Sequence, residues 1–181
     1  MELIETVIGT EEIFKGKIVH LRVDTVRMPD GSESKREIVG HKGAVCIVPV
    51  QEDGTVLMIR QFRLAAGKVL FEIPAGTREE GEEPDACAAR ELEEETGYTA
   101  ANLRPLFAAY LAPGYSTELI YAYLATGLTK THTHTDADEN VELVPIPLAE
   151  LERRVLAGEL QDAKTIAAVL TAARILERTP E

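Results

Sequence analysis

Residues 76–98 read GTREEGEEPDACAARELEEETGY and carry the most specific pattern in this chain. Glu91, Glu94 and Glu95 stand at positions i, i+3 and i+4 of a predicted helix, so they share one face with neighbouring Cβ atoms about 5–6 Å apart. Each like-charged pair at this spacing costs an isolated helix roughly 0.2–0.5 kcal/mol. Clustered carboxylate oxygens suit a hard divalent cation, and Mg²⁺ commonly binds through carboxylates together with substrate phosphates. The stretch therefore predicts a metal site, with Mg²⁺ as the expected ion and Mn²⁺ as an alternative.

The ends of this helix are also readable from the sequence. Pro84 suits the first helical turn, and Gly97 suits a C-terminal stop. Opposite the glutamates, Ala86, Ala89 and Leu92 form the stripe that we expect to face inward. The pattern therefore predicts a helix that is bounded by Pro84 and Gly97.

The same segment resembles the signature of the Nudix hydrolases, G-x5-E-x7-R-E-U-x-E-E-x-G-U, where U is a bulky aliphatic residue. The matching positions are Gly76, Glu82, Arg90, Glu91, Leu92, Glu94, Glu95 and Gly97. Only the last position differs, and the ring of Tyr98 is apolar enough to fill the same core position. The alternative, a solvated acidic helix face with a capping glycine, explains neither Gly76 nor Arg90.

The resemblance implies a fold and a metal site. The fold is α+β, the Nudix α/β/α sandwich with a mixed sheet, in which the segment forms strand, loop and helix. Glu91 and Glu95 would be the main metal ligands. Glu94 would join them directly or through water, and the backbone carbonyl of Ala75 would add a further oxygen.

Arg90 cannot bind a cation, so the resemblance implies another task for it. It would orient Glu82 or a neighbouring glutamate through bidentate hydrogen bonds, although a plain helix salt bridge would use the same contact. We expect Arg90 and Glu94 to belong to the catalytic set.

Further features resemble the ADP-ribose pyrophosphatase branch of the family. Residues 59–63 read IRQFR, and Arg63 would clamp a phosphate with its planar fork. Pro113 lies 16 residues beyond Gly97 and marks the ADP-ribose class. Glu72 and Gly114 complete the expected substrate-binding set. The plain alternatives are a surface arginine at a strand end and an ordinary Pro-Gly turn.

Two later segments also resemble this branch. Residues 136–143 read DADENVEL, like the acidic loop that supplies the general base, and Glu139 is the first candidate and Glu142 the second. A solvated acidic loop is the alternative. Residues 162–165 read DAKT before an alanine-rich helix, again as in this branch.

We reject a zinc site at His132 and His134, because no third ligand follows at zinc-site spacing.

The composition sets outer bounds on structure and partners. A chain of 181 residues with 45% hydrophobic content can bury a substantial core. Its net charge of −12 argues against nucleic acid as a partner. No apolar run is long enough for a membrane span and no signal sequence is visible, so we expect a soluble, cytoplasmic protein. Cys46 and Cys87 read as buried, reduced residues.

The sequence predicts a small N-terminal element at 1–40 and a catalytic domain at 41–181. Alternation over 17–28, a turn at 29–31 and a returning strand at 36–39 indicate an antiparallel hairpin, too small to fold alone. The resemblance implies that this element packs across a twofold axis, or is exchanged, in a homodimer. The remaining predicted strands are 43–50, 55–62, 69–73, 103–111, 118–125 and 141–146, with helices at 148–157 and 163–177.

The leading functional expectation is metal-dependent hydrolysis of ADP-ribose to AMP and ribose 5-phosphate. One alternative is a pyrophosphatase for another nucleoside diphosphate sugar or an oxidised nucleotide. Another, from a different class, is a silent Nudix nucleotide-binding module, although such modules usually lose glutamates that this chain retains. The chain has no tryptophan on which adenine could stack.

Overall fold

The computed structural model describes residues 3–131 and 141–178, in two compact units. The N-terminal unit comprises Met1–Gly43 and Tyr110–Leu119. The second unit comprises Ala44–Ala109 and Ile120–Glu181.

The N-terminal unit contains three antiparallel strands in the order β1-β2-β3: β1 (Thr6–Lys15), β2 (His20–Arg27) and β3 (Glu33–Gly40). The predicted hairpin corresponds to β2 and β3, and its turn places Gly31 at a φ of 86°, which favours glycine. β1 was not predicted. All of its residues are exposed, so its sequence has no buried face whose period could reveal a strand.

The second unit contains two sheets. One has the order β7-β4-β9-β8, and the other has the order β10-β5-β6. β4 runs parallel to β9 and antiparallel to β7, so the predicted mixed sheet is confirmed. The strands are β4 (Ala44–Pro49), β5 (Thr55–Arg63), β6 (Lys68–Glu72), β7 (Ala75–Thr77), β8 (Tyr98–Tyr110), β9 (Leu119–Lys130) and β10 (Val141–Pro147).

Among the described residues, three α-helices cover both faces of the central strand β4: α1 (Pro84–Thr96), α2 (Leu148–Leu156) and α3 (Ala163–Glu177). Every residue of β4 is buried, as predicted for a central strand. Cys46 and Val48 belong to the core that includes residues of α2 and α3, whereas Val45 and Ile47 belong to the core of α1. Because successive strand residues point to opposite faces, the second unit has the predicted α/β/α layering.

Helix α1 has the predicted ends but not the predicted inward stripe. Pro84 is its first residue, and Gly97, at a φ of 71°, donates its backbone N–H to the carbonyl of Glu93 at 2.8 Å. Ala86 and Ala89 are exposed, so the stripe that contained them was wrong. The buried apolar residues are Cys87, Ala88 and Leu92. A small alanine is tolerated on either face of a helix, and packing against β4 decided which face is buried. Among the described residues, no helix is long and apolar enough to cross a membrane.

Candidate active site

The first signature residue, Gly76, lies directly against the carboxylate of Glu91. A Cβ atom on Gly76 would stand 1.9 Å from the Glu91 Cδ atom and 2.0 Å from its Oε1 atom. Real Cβ atoms essentially never approach that closely, so only glycine allows Glu91 to lie against β7. This contact explains why the signature has a glycine at position 76 and a glutamate 15 residues later, at position 91.

Glu95 approaches the same short strand one helical turn further along. It is only 5% exposed, and its Oε2 atom accepts a hydrogen bond from the backbone N–H of Ala75 at 2.8 Å. Glu91 and Glu95, the two predicted main metal ligands, therefore both lie beside the Ala75–Gly76 backbone.

Arg90 connects three glutamates of the signature. Its Nε and Nη2 atoms donate to the two carboxylate oxygens of Glu82, each at 3.0 Å. Its Nη1 atom donates to Glu91 Oε1 at 2.7 Å and to Glu94 Oε2 at 2.9 Å. The hydrogen bonds that Arg90 donates to Glu82 hold the pKa of Glu82 at about 2. The same bonds raise the pKa of Arg90. The loop and α1 are thereby fixed to each other by ionised groups.

This donor set suits a divalent cation that binds through few protein oxygens. Within residues 3–131 and 141–178, no three acidic, histidine or cysteine side chains form a ready-made metal cage. Two carboxylates one turn apart beside a backbone strand nevertheless supply the hard oxygen ligands that Mg²⁺ prefers, and Mg²⁺ takes its other ligands from water and substrate phosphates. The residues present therefore fit the predicted ion.

Arg63 and Glu72 meet at the ends of β5 and β6. Arg63 Nε donates to Glu72 Oε1 and Arg63 Nη2 donates to Glu72 Oε2, both at 2.8 Å, which is a bidentate pair. Glu72 is only 1% exposed, and Lys164 of α3 also donates to its Oε2 atom. Burial raises the pKa of Glu72, but the bonds from Arg63 and the charge of Lys164 outweigh it and hold the pKa below its usual value.

The remaining predicted residues belong to different units or lie outside the described residues. Pro113 and Gly114 are exposed residues of the N-terminal unit, where Pro113 lines a cavity of about 340 Å³ together with Arg22. Glu142 is exposed in β10 of the second unit, with its Oε2 atom 3.3 Å from Arg60 Nη1. Glu139 lies outside the described residues, as do His132 and His134.

Comparisons with known proteins show the family of this chain. The profile of the NUDIX domain matches residues 40–169, and that of the nucleoside diphosphate sugar hydrolase N-terminal domain matches residues 5–39. The chain therefore belongs to the Nudix family of hydrolases, as its 76–98 segment predicts.

Individual relatives span nearly the whole chain. An ADP-ribose pyrophosphatase of Bacillus subtilis (strain 168) is 43% identical over 91% of this chain and 90% of its own length. A methanol dehydrogenase activator of Bacillus methanolicus is 41% identical over the same shares. A solved structure described as an ADP compounds hydrolase has a TM-score of 0.85 at 22% identity, over 98% of this chain and 97% of that one, and shows the same fold.

Proposed function

We propose that this chain hydrolyses the diphosphate bond of ADP-ribose, releasing AMP and ribose 5-phosphate, with Mg²⁺ as its metal ion and Mn²⁺ as a substitute. The observation that carries the proposal is the placement of Glu91 and Glu95 beside the Ala75–Gly76 backbone. The 43% identity to an ADP-ribose pyrophosphatase supports the choice of substrate.

The chemical obstacle is the negative charge of the diphosphate, which repels an attacking hydroxide. A bound divalent ion neutralises this charge, polarises the phosphorus and lowers the pKa of bound water. We assign the binding of that ion to Glu91, Glu95 and the Ala75 carbonyl, with Glu94 acting directly or through water. Arg90 keeps Glu91 and Glu94 in register by donating to both.

Arg63 is the proposed diphosphate clamp. A guanidinium carries five N–H donors, and Glu72 uses two of them, so three are not used by Glu72 and can donate to phosphate oxygens. The proposed general base is Glu139, with Glu142 as the second candidate. Pro113 and Gly114 are the proposed specificity residues.

A substrate panel tests the proposal. With Mg²⁺ present, we expect ADP-ribose to be cleaved faster than GDP-mannose, ADP-glucose or an oxidised nucleotide, with AMP and ribose 5-phosphate identified by chromatography. Chelation should stop the reaction, and returning Mg²⁺ or Mn²⁺ should restore it. Faster cleavage of another nucleoside diphosphate sugar would favour the runner-up activity. Binding of a nucleotide without any cleavage would favour a silent nucleotide-binding module.

We also propose that the chain is a homodimer in which the N-terminal element, residues 1–40, packs against or exchanges with the partner. All ten residues of β1 are exposed in the single chain. Its large apolar side chains, which are 40–57% exposed, are Val7, Ile8, Ile13 and Phe14. Large apolar side chains exposed along one strand are typical of an interaction site.

The dimer proposal is tested by light scattering. The full-length chain should have twice the mass of one protomer, and deletion of residues 1–40 should give a monomer or an aggregate that binds ADP-ribose weakly. Ile8→Glu combined with Ile13→Glu should also give a monomer, because it places charges in the interface. Leu156→Glu, on an exposed side chain of α2, is the matched control and should leave the mass unchanged. A full-length monomer that is fully active at nanomolar concentration would rule the dimer out.

We further place the protein in the cytoplasm. Cys46 and Cys87 are both free and buried, as the sequence analysis expects. Burial raises the pKa of each thiol to about 12, so neither is a reactive thiolate at neutral pH. Free thiols without a disulfide are usual in a reducing compartment.

A further inference from the structure

Four charged side chains form a continuous chain from the proposed diphosphate clamp to the start of α3. Arg63 donates two hydrogen bonds to Glu72, and Lys164 Nζ donates to the Oε2 atom of the same carboxylate. Lys164 Nζ also donates to Asp162 Oδ2 at 2.8 Å. Glu72 and Lys164 are both buried, at 1% and 9% exposure. Their charges therefore interact with little screening by water.

The DAKT segment fixes Lys164 in place. Asp162 is the N-cap of α3, and its Oδ2 atom accepts from the backbone N–H of Thr165 at 3.1 Å and from its hydroxyl at 2.5 Å. The Thr165 hydroxyl in turn accepts a hydrogen bond from the backbone N–H of Ile73 at 2.9 Å. The start of α3 is thus joined to the backbone immediately after Glu72, two residues before Ala75.

The charges around Glu72 determine the net charge that a diphosphate meets at Arg63. A guanidinium paired one-to-one with a buried carboxylate forms a neutral unit, which attracts a diphosphate weakly. Lys164 adds a second positive charge, and Asp162, which also pairs with Lys164, adds a second negative one, so the four side chains together are neutral. Without Lys164 the other three would carry a net negative charge, which repels a diphosphate.

We propose that Lys164 is a positioning residue for substrate binding: by holding and partly neutralising Glu72, it keeps the Arg63 guanidinium oriented and limits the negative charge that a diphosphate meets there. The inference rests on the proposed role of Arg63. It gives a function to the DAKT segment, residues 162–165, which has no part in the proposed metal binding or general-base catalysis.

The test separates the charge of Lys164 from its packing. Lys164→Gln keeps a hydrogen-bond donor near Glu72 and removes the charge. We expect it to raise the Kd of ADP and the KM of ADP-ribose by about tenfold while kcat changes less than about threefold. Because Lys164 acts through the Glu72 carboxylate, Lys164→Gln should weaken ADP binding much less in the Glu72→Gln background than in the unaltered chain. Lys164→Arg keeps the charge and should bind ADP nearly normally. Lys130→Met removes an exposed lysine elsewhere in the same unit and is the control.

Several outcomes would overturn the inference. One is an unchanged Kd of ADP in Lys164→Gln, and another is a double variant whose loss of ADP binding free energy equals the sum of the losses in the two single variants, since additive loss indicates that Lys164 does not act through Glu72. If Lys164→Gln does not fold, Glu72→Gln compared with the double variant still decides, because replacing both members of a buried ion pair is often tolerated: a full loss of ADP binding on removing Lys164 from the Glu72→Gln variant would overturn the inference. ADP binding, measured by calorimetry with Mg²⁺ present, needs no turnover. Failure to cleave ADP-ribose would therefore overturn the proposed function without deciding this question.

Discussion

Glu95→Gln and Glu91→Gln are each expected to lower kcat by more than about 100-fold. Loss of a residue that only hydrogen-bonds to a metal ligand typically costs about 10–100-fold, and loss of the ligand itself should cost more. Glutamine keeps the shape of the side chain and one acceptor oxygen but removes the charge that binds the cation. Glu95→Gln can still accept the hydrogen bond from Ala75, so the apo fold should remain intact. Relief of repulsion between neighbouring carboxylates should leave the Glu95→Gln fold equally stable or slightly more stable, whereas in Glu91→Gln this gain is offset by the weaker bond to Arg90. Steady-state kinetics over a Mg²⁺ titration, calorimetric Mn²⁺ binding and thermal unfolding measure these three effects.

Glu93→Gln is the matched control for this prediction. Glu93 lies on the same helix and has the same charge, but it is not one of the signature residues and has no role in the proposed site. Its substitution should leave kcat and metal affinity within about threefold of the unaltered chain, as expected of a substitution away from the site. Near-normal activity in both Glu91→Gln and Glu95→Gln would refute the assignment of these residues as metal ligands.

Local sequence rules predicted the features of the fold that depend on local chemistry. Pro84 and Gly97 bound α1 because one fits a first helical turn and the other adopts a positive φ. The spacing of Glu91 and Glu95 put both on one helical face whatever the surroundings. β4 was recognisable because a strand with both faces covered is apolar throughout.

Features that depend on tertiary packing could not be predicted in the same way. β1 has no buried face in the single chain, so its sequence shows no strand period. The buried side of α1 includes Cys87 and Ala88 rather than Ala86 and Ala89, because a small side chain fits either environment until a neighbour is known.

The site was predictable to a similar extent. The sequence restricted Arg90 to Glu82 or a neighbouring glutamate, and the structure shows one guanidinium serving Glu82, Glu91 and Glu94 together. The contact between Glu72 and Lys164 joins residues 92 positions apart, which no local rule anticipates. The resemblance of the DAKT segment to related enzymes was visible in the sequence, but its partner was not.

Glu139→Gln is expected to lower kcat by about 10²–10⁴-fold, the usual range for loss of a general base, with little change in the Kd of substrate. The prediction rests on the acidic composition of residues 136–143 and on the family resemblance, since Glu139 lies outside the described residues. Kinetics and calorimetric substrate binding separate kcat from Kd, and the acidic limb of the pH–rate profile should be lost in this variant.

Glu142→Gln provides the comparison that decides between the two candidates. The Glu142 side chain is 64% exposed and lies 3.3 Å from Arg60, a surface ion pair of the kind that contributes about 0–1 kcal/mol. Such a pair gives Glu142 a role as the cross-strand partner of Arg60 in β5, without any catalytic task. Loss of Glu142 should therefore change kcat only a few-fold if Glu139 is the base. Asp138→Asn controls for the removal of one negative charge from the same acidic segment. If Glu142→Gln alone reproduces the large loss of kcat at unchanged Kd, the base is Glu142. The Arg60 pair would then have to open during each turnover, and Arg60→Ala should raise the rate rather than lower it.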